Sequence, residues 1–253
     1  MVNNFLIILM NDPCRTHSPA RRSGDVSASR TRSDMRTIAL VTQKGGSGKS
    51  TLSASLAVAA QAARERVFLI DMDPQRSLTT WAENRSDENL GVEAIAPGKL
   101  PAVLETLVAG HVSLAIIDTP ASLTAASEAA MRAADLIIIP VRPTVFDIWA
   151  SEATRRRARE LQKECVFVLN QCPIVQGSRR FQEGVNALEA MGGILQPMIT
   201  ARVDYQEAIR CGLGPTEINP TGDAAEEMRQ LFMSVRRRLA RVKVGLQAGQ
   251  RAA

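Results

Sequence analysis

A glycine-rich loop constrains this chain more than any other segment of its sequence. Residues 43–51 read Gln-Lys-Gly-Gly-Ser-Gly-Lys-Ser-Thr, with one lysine before the glycines and another near the end. The apolar run 36–42 before the loop is typical of a buried strand, and the alanine-rich run 49–64 after it is typical of a helix. Backbone N–H groups of such a loop and of the helix N-terminus attract phosphate oxygens. The sequence therefore predicts a nucleotide phosphate site on a strand, a loop and a helix.

The two lysines of the loop have different predicted roles. Lys49 follows the glycines, where it contacts the β and γ phosphates, and the hydroxyl of Ser50 binds magnesium. Lys44 precedes the glycines, so its side chain has difficulty folding back onto phosphates that its own loop encloses. It is better placed to reach the nucleotide of a neighbouring molecule. The predicted nucleotide-binding residues of the loop are Lys44, Gly45, Gly46, Ser47, Gly48, Lys49, Ser50 and Thr51.

The loop resembles the deviant Walker A box of the ParA/MinD family of P-loop ATPases. Members of that family form nucleotide-sandwich dimers in which the early lysine crosses the interface. Residues 73–81, 139–147 and 199–205 look most like the short ParF-type plasmid partition ATPases, and the resemblance runs from about Met35 to the end of the chain. It implies an α/β fold with a single doubly wound, mostly parallel sheet flanked by helices, ATP or ADP with Mg²⁺ as cofactors, and weak intrinsic ATPase activity.

Two further apolar runs end in acidic residues. Residues 67–70 lead into Asp71-Met72-Asp73, and residues 114–117 lead into Asp118. Parallel sheets bind ligands at the carboxyl edge of their strands, so both acids are expected near the phosphate loop. The resemblance implies that Asp73 joins Lys44 and Lys49 in hydrolysis, and that Asp118 is the Walker B aspartate. Its implied magnesium ligands are Ser50, Asp73 and Asp118. Relatives often carry two prolines or a glycine pair after this acid, whereas Pro120-Ala121 here leaves the switch geometry open.

Two β-branched runs, 136–140 and 165–169, predict strands covered on both faces. The resemblance implies that the loop 141–149 lines the dimer interface and that the last strand ends near the base. Asn170 could then hydrogen-bond adenine, although an asparagine that caps a strand end is equally ordinary.

The domain organisation is predicted to be simple. The chain has 253 residues, of which 45% are hydrophobic, and one domain accommodates its alternating apolar and helical segments. Residues 1–34 are expected to be a disordered or artefactual extension, because residues 11–34 have almost no large apolar side chain. Residues 35–244 form the predicted ParA-like ATPase domain, with Met35 as the expected biological start. Residues 245–253 are expected to be a flexible tail.

The cysteines and the N-terminus indicate a cytoplasmic protein. The four cysteines show no Cys-x-x-Cys spacing, which is typical of reduced thiols. None lies between Asp118 and Asp147, which weighs against an iron–sulfur reductase of the nitrogenase type. The apolar run 5–10 is too short to span a bilayer and lacks the features of a secretory signal.

Basic residues accumulate near the C-terminus of a chain whose formal net charge is +5. Residues 225–242 have the apolar spacing of an amphipathic helix that turns its arginines away from the core. Such a face can meet DNA phosphates, although a solvated helix face or a membrane-binding helix of the MinD kind are alternatives. The apolar residues look committed to the fold, so no stable membrane association is expected. The DNA candidates are Arg179, Arg180, Arg202, Arg210, Arg236, Arg237 and Arg238.

The leading functional hypothesis is a partition ATPase that forms an ATP-bound homodimer and holds nucleoid DNA without reading its sequence. Its expected activator is a small centromere-binding protein, either ParB-like or of the ribbon-helix-helix type. One alternative is a MinD-like ATPase that positions itself on membranes or poles. Another is a ligase of the dethiobiotin synthetase type, for which no substrate-pocket motif is present. The sequence leaves open the cargo, the activating partner and whether the protein polymerises.

Overall fold

The computed structural model describes residues 35–87, 89–175 and 179–251, with side chains described for all of these except Arg180 and residues 243–251. One parallel sheet has the strand order β3-β2-β4-β1-β5-β6. Its strands are β1 (Arg36–Leu40), β2 (Val67–Asp71), β3 (Gly91–Ala94), β4 (Leu114–Asp118), β5 (Leu136–Val141) and β6 (Cys165–Leu169). The doubly wound α/β fold expected from the sequence is confirmed.

Helices cover both faces of this sheet. They are α1 (Lys49–Ala62), α2 (Ser77–Glu83), α3 (Leu100–Ala109), α4 (Ala125–Ala133), α5 (Val145–Glu160), α6 (Arg179–Met191), α7 (Val203–Arg210), α8 (Pro215–Ile218) and α9 (Asp223–Arg251). A 3-10 turn at Pro97–Lys99 precedes α3. None of these helices, within the part of the chain that the structure describes, has the length and apolarity that crossing a bilayer requires.

The strands are apolar throughout because each face packs on its own core. In β4, Ile116 belongs to the core under α1 and α9, while Ile117 belongs to the core under α3 and α4. Both side chains are completely buried. Successive strand residues point to opposite faces, so covering both faces leaves no position for a polar residue until the strand ends.

The edge strand β3 was not predicted from the sequence. It has four residues, of which two are only partly buried. Such a short strand at the edge of a sheet carries a weak apolar pattern. Its pairing with β2 extends the sheet by one strand beyond the predicted five.

The last helix buries the apolar stripe that its sequence predicts. Met228, Phe232, Val235 and Leu239 are all buried in the core that also contains α1. The helix runs to Arg251, so helical backbone covers residues that were expected to form a tail. The expected extension, residues 1–34, lies outside the described residues, and the boundaries of the ATPase domain stay a prediction.

The strand order places the functional segments side by side. β1 lies between β4 and β5, so the loop that follows β1 emerges at the middle of the carboxyl edge. β4 and β2 deliver their terminal acids to one flank of this loop. β5 and β6 deliver the residues that follow them to the opposite flank.

Candidate nucleotide site

The phosphate loop needs glycine at Gly48 for both conformation and space. Gly48 precedes α1 with a φ of 85°, in the left-handed region that residues with a Cβ rarely adopt. A Cβ on this residue would lie 2.3 Å from Nδ2 of Asn170. The loop therefore packs directly against the residue that follows β6.

Two side-chain amides after β6 hold the loop. Nδ2 of Asn170 donates to the carbonyl oxygen of Ser47 at 2.7 Å, and Nε2 of Gln171 donates to that of Gly46 at 2.9 Å. Both carbonyl oxygens would repel a phosphate, and both are satisfied by hydrogen bonds from these side-chain amides. The amide nitrogen of Asn170 is already used by the loop, which leaves its oxygen for contact with a base.

The magnesium side of the site forms between α1 and β4. Asp118 is completely buried, and it accepts hydrogen bonds from Ser50 Oγ at 2.6 Å and from Ser53 Oγ at 3.4 Å. Burial raises the pKa of Asp118 to about 7, with the Ser50 hydrogen bond opposing the shift. Hydroxyl and carboxylate oxygens are the ligands that Mg²⁺ prefers, so this donor set fits the ion.

No group of three or more His, Cys, Asp or Glu residues within the described ranges is arranged to hold a metal by itself. Magnesium typically binds through one or two carboxylates together with substrate phosphates and water. The pairing of Ser50 with Asp118 matches that partial set, with the remaining ligands expected from the nucleotide.

Lys49 begins α1 and is buried beside the acids. Burial lowers the pKa of Lys49, while the charges of Asp118 and Asp73 raise it. A bound phosphate would therefore stabilise the charged form of Lys49 and compensate part of the free energy lost by burying it.

Asp71 fixes the loop that carries Asp73. Its buried carboxylate accepts the backbone N–H groups of Asp73, Leu78 and Thr79, each at 3.1 Å. Burial raises the pKa of Asp71, and these hydrogen bonds lower it. Asp73 itself is partly exposed and accepts the N–H of Gln75 at 2.9 Å. Asp71 is thus a structural anchor, and Asp73 is the carboxylate that faces outward.

A cavity of about 300 Å³ adjoins the loop on the side of α7. Gly48, Thr51 and Asn170 form one wall, and Thr200 and Tyr205 lie among the residues of the other. Its position beside the helix end of the loop suits a nucleoside whose phosphates extend along the loop.

One carboxylate braces the far wall of this cavity. Glu227 on α9 accepts hydrogen bonds from the Tyr205 hydroxyl at 2.9 Å, from Nε of Arg202 at 3.1 Å and from the N–H of Thr200 at 3.3 Å. Burial is the largest cause that raises the pKa of Tyr205, and the charge of Glu227 adds to it. The tyrosine is therefore a neutral hydrogen-bond donor.

Lys44 differs from the other charged residues of the loop. Its backbone N–H lies 3.4 Å from the hydroxyl oxygen of Thr42, and its side chain is partly exposed. Its ammonium group has no hydrogen bond or ion pair within the described residues. The early lysine is thus available to reach outside its own site, and its contact with a neighbouring nucleotide stays a prediction.

Arg142, Asp147 and Gln171 were not predicted from the sequence as individual site residues. Arg142 follows β5 and is held by Asp147, whose carboxylate is buried near the start of α5. The spacing of Thr144 and Asp147 is that of a helix-capping pair, a signal from which the buried acid was predictable.

The DNA candidates lie on three helices or, for Arg202, directly before one, and most are neutralised. Four of them pair with acids: Arg179 with Glu183, Arg202 with Asp223 and Glu227, Arg210 with Glu207, and Arg238 with Glu164. Arg236 lies 4.0 Å from Glu65, whereas Arg237 bonds only to the hydroxyl of Ser234. Arg180 begins α6, but its side chain is outside the description. Arg236 and Arg237 are therefore the most available cations of the set.

Comparison with known proteins gives a family match. Residues 38–242 match the family described as the CobQ/CobB/MinD/ParA nucleotide binding domain. The chain is 42% identical over 125 residues to maintenance of carboxysome distribution protein A from Gloeobacter kilaueensis, a stretch that covers 49% of this chain and 56% of that relative. It is 28% identical over 216 residues to the protein of the same name from Halothiobacillus neapolitanus, covering 79% of this chain and 95% of the relative.

A solved structure supports the fold. The Pyrococcus furiosus cell division ATPase MinD superposes with a TM-score of 0.65 and 20% identity, covering 80% of this chain and 98% of that one. At this identity, the likeness concerns the fold alone.

Replacing Asp118 with Asn should stabilise the nucleotide-free, metal-free protein at alkaline pH. The folded state raises the pKa of Asp118 from 3.8 to about 7, so this group lowers stability as pH rises through that range. The amide removes this destabilisation, and we expect the free energy of unfolding at pH 8 to increase by about 2 to 4 kcal/mol, with a smaller gain at pH 5. Urea unfolding in EDTA at both pH values measures it.

The matched control is Glu105→Gln, on the exposed face of α3, which should change stability at neither pH. An Asp118→Asn variant with wild-type stability at both pH values would show that the buried carboxyl group titrates normally.

Proposed function

The chain belongs to the CobQ/CobB/MinD/ParA nucleotide binding domain family, and from this premise we propose that it is an ATP-driven ATPase that positions an intracellular cargo. Two subunits, each with ATP, close face to face, and Lys44 of each reaches the nucleotide of the other. Hydrolysis then reopens the dimer. The main support is that the ammonium group of Lys44 has no partner within the described residues. Lys49, by contrast, is buried inside its own site and cannot reach a second subunit.

The residues of one subunit divide the chemistry of hydrolysis. Lys49 and the loop N–H groups hold the phosphates, while Ser50 and Asp118 hold the magnesium ion. When bound, the ion neutralises charge on the phosphates. Asp73, held outward by Asp71, orients the attacking water. Phosphoryl transfer depends mostly on such positioning and charge stabilisation, so an incomplete cation set keeps the monomer slow.

The distribution of exposed apolar side chains supports closure of two subunits on the nucleotide edge. We call the cavity of about 300 Å³ beside the phosphate loop the base cavity. Within the described residues, every large exposed apolar side chain except Met233 follows β4, β5 or β6 or lines this cavity. These residues are Leu123, Val145, Phe146, Trp149, Ile174, Val175 and Val203. Apolar groups gathered at one edge mark an interaction surface. This edge is the one from which Lys44 must reach a neighbour.

We place nonspecific DNA binding on α9. Arg236, Arg237 and Arg241 are exposed there, and Arg237 and Arg241 both line a shallow groove beside residues 193–196. Unpaired arginines contact phosphates without reading sequence, whereas the arginines already paired with acids contribute less. The dimer would double this surface.

Activation is assigned to a cargo-bound protein, such as a small centromere-binding protein of the ParB-like or ribbon-helix-helix kind. Similar proteins are named for carboxysome distribution and for chromosome partitioning, so related ATPases have different cargoes. The nucleotide site contains no feature that selects among them.

Lys44→Ala tests the cross-subunit role. We expect the variant to bind Mg–ATP within about threefold of wild type, because the Lys44 ammonium group makes no hydrogen bond or ion pair within the described residues, yet to lose ATP-dependent dimerisation. Turnover stimulated by dimerisation should fall at least about 100-fold, since cations supplied in trans contribute about 10³ to 10⁵. Sedimentation velocity with a non-hydrolysable ATP analogue and a phosphate-release assay measure both effects.

Lys49→Ala is the comparison variant, and it should lose nucleotide binding itself. A Lys44→Ala protein that dimerises and turns over like wild type would disprove the sandwich mechanism. A wild-type protein that stays monomeric with the analogue would do so as well.

Phe146→Ser and Trp149→Ser test the apolar edge. These side chains are 71% and 68% exposed and contact each other edge to face, with ring centroids 5.9 Å apart. Each substitution should weaken analogue-dependent dimerisation about 10- to 30-fold, as loss of a buried aromatic anchor does at interfaces. Nucleotide affinity of the monomer should not change. Met233→Ser, on α9, is the control, because Met233 is an exposed apolar residue away from that edge. Equal dimerisation of all three variants would remove this edge from the interface.

The double variant Arg237→Glu, Arg241→Glu tests DNA retention. In the ATP-bound dimer, its binding to DNA should be weaker, and the log–log slope against salt should be smaller by about 4, since two arginines from each subunit neutralise one phosphate each. Fluorescence anisotropy with a DNA duplex at several salt concentrations measures the slope. Arg132→Glu, on α4, should leave it unchanged. An unchanged slope in the double variant would place DNA elsewhere.

A further inference from the structure

Arg142 lies against the phosphate loop. It is the first residue after β5, and β5 pairs directly with β1, which carries the loop. A Cβ placed on Gly46 would lie 3.7 Å from Nη1 of Arg142, so the guanidinium group lies beside the loop, on the face of Gly46 where a side chain would project. The sheet order therefore brings a third cation to a loop that already has Lys44 and Lys49.

Asp147 holds the guanidinium group in a fixed plane. Nε of Arg142 donates to Oδ1 of Asp147 at 3.0 Å, and Nη2 donates to Oδ2 at 3.3 Å. The carboxylate is only 4% exposed. Thr144 caps α5 by accepting the N–H of Asp147 at 3.3 Å, and its hydroxyl donates to the same carboxylate. A buried acid with this many partners orients the arginine rather than merely neutralising it.

One nitrogen of the guanidinium group has no partner. Nε and Nη2 are used by Asp147, whereas Nη1 makes no hydrogen bond within the described residues. The side chain is 32% exposed. Nη1 is also the guanidinium atom that a Cβ on Gly46 would meet. Its two N–H groups are therefore directed to the place where a bound phosphate would lie.

The position along the loop indicates which phosphate this would be. The base cavity is lined by Gly48 and Thr51, at the helix end of the loop. A nucleotide seated there extends its phosphates toward the start of the loop, where Gly46 lies. The cation at Gly46 is consequently far from the base and near the terminal phosphate.

We propose that Arg142 binds the terminal phosphate of ATP within its own subunit and that Asp147 is its positioning residue. This inference rests on the proposed nucleotide site, but it does not require dimerisation. Arg142 gives the monomer a means to distinguish ATP from ADP. Lys44, which has no partner within the described residues, is left for the neighbouring subunit. The two cations thus act at successive steps, with recognition of the triphosphate before closure.

The test compares Arg142→Ala, Arg142→Lys and Asp147→Asn, all in a Lys44→Ala background that is expected to stay monomeric. Isothermal titration calorimetry with Mg–ATPγS and Mg–ADP gives both affinities. We expect Arg142→Ala to weaken ATPγS binding about 10-fold or more and ADP binding less than about twofold. Arg142→Lys should recover little, because an ammonium group cannot keep the two-point contact with Asp147. Asp147→Asn should shift ATPγS affinity in the same direction.

Arg156→Ala is the control, because Arg156 is an exposed arginine on α5. It should bind both nucleotides like the background protein, and thermal melting should show all variants to be folded. Unchanged ATPγS affinity in Arg142→Ala, or an equal loss for both nucleotides, overturns the inference. The inference is also overturned if Arg142→Ala weakens ATPγS binding when Lys44 is present but not in the monomeric Lys44→Ala background. The arginine would then contact the nucleotide of the other subunit.

These outcomes are distinct from failure of the proposed function. A wild-type protein that does not dimerise with an ATP analogue contradicts the sandwich mechanism but leaves the discrimination by Arg142 measurable. A wild-type protein that dimerises while Arg142→Ala retains full ATPγS affinity contradicts only the role of the arginine.

Discussion

The burial of Asp118 and Lys49 at the carboxyl edge of the sheet is the constraint on which this structure depends. Both are ionisable side chains with less than a tenth of their surface exposed. Burial raises the pKa of Asp118 and lowers that of Lys49, so it favours the neutral form of each. Such burial is unfavourable unless partners compensate it. The two serines of α1 compensate part of it at Asp118. A phosphate and a magnesium ion would compensate the rest of this unfavourable desolvation. The site therefore favours ligand binding at the expense of the stability of the empty protein.

The flanks of the phosphate loop have opposite chemistry because of strand order alone. β4 and β2 end in acids on one side, while β5 and β6 are followed by Arg142 and two amides on the other. The proposed function assigns metal binding and hydrolysis to the acidic flank, and recognition of phosphate and base to the other. On the acidic flank, Asp71 is an anchor. The charge of Asp71 contributes to the raised pKa of Asp118, and the oxygens of Asp71 accept the N–H groups of α2.

Sequence reasoning predicted five strands, the loop, Asp73 and Asp118, because these depend on local signals: apolar runs that end in turns or acids. It did not predict β3, whose four residues have no clear pattern. Nor did it find Arg142, because an arginine after a strand reads as a solvated charge until the pairing of β5 with β1 is known. The pairing of Arg202 and Arg238 with acids was likewise not predicted, since their partners are distant in sequence. Long-range contacts, rather than element types, were the missing information.

Glu227 belongs to two parts of the molecule at once. Its carboxylate fixes Thr200, Arg202 and Tyr205 at the wall of the base cavity, while its backbone belongs to the helix that also carries Arg237 and Arg241. Because α9 is rigid and is hydrogen-bonded to the cavity wall near its N-terminal end, a tilt of the helix would also move that wall. Arg202 also pairs with Asp223, and the Tyr205 hydroxyl lies 3.3 Å from the carbonyl oxygen of Ala224, so the start of α9 joins the cavity wall to the helix that carries the exposed arginines.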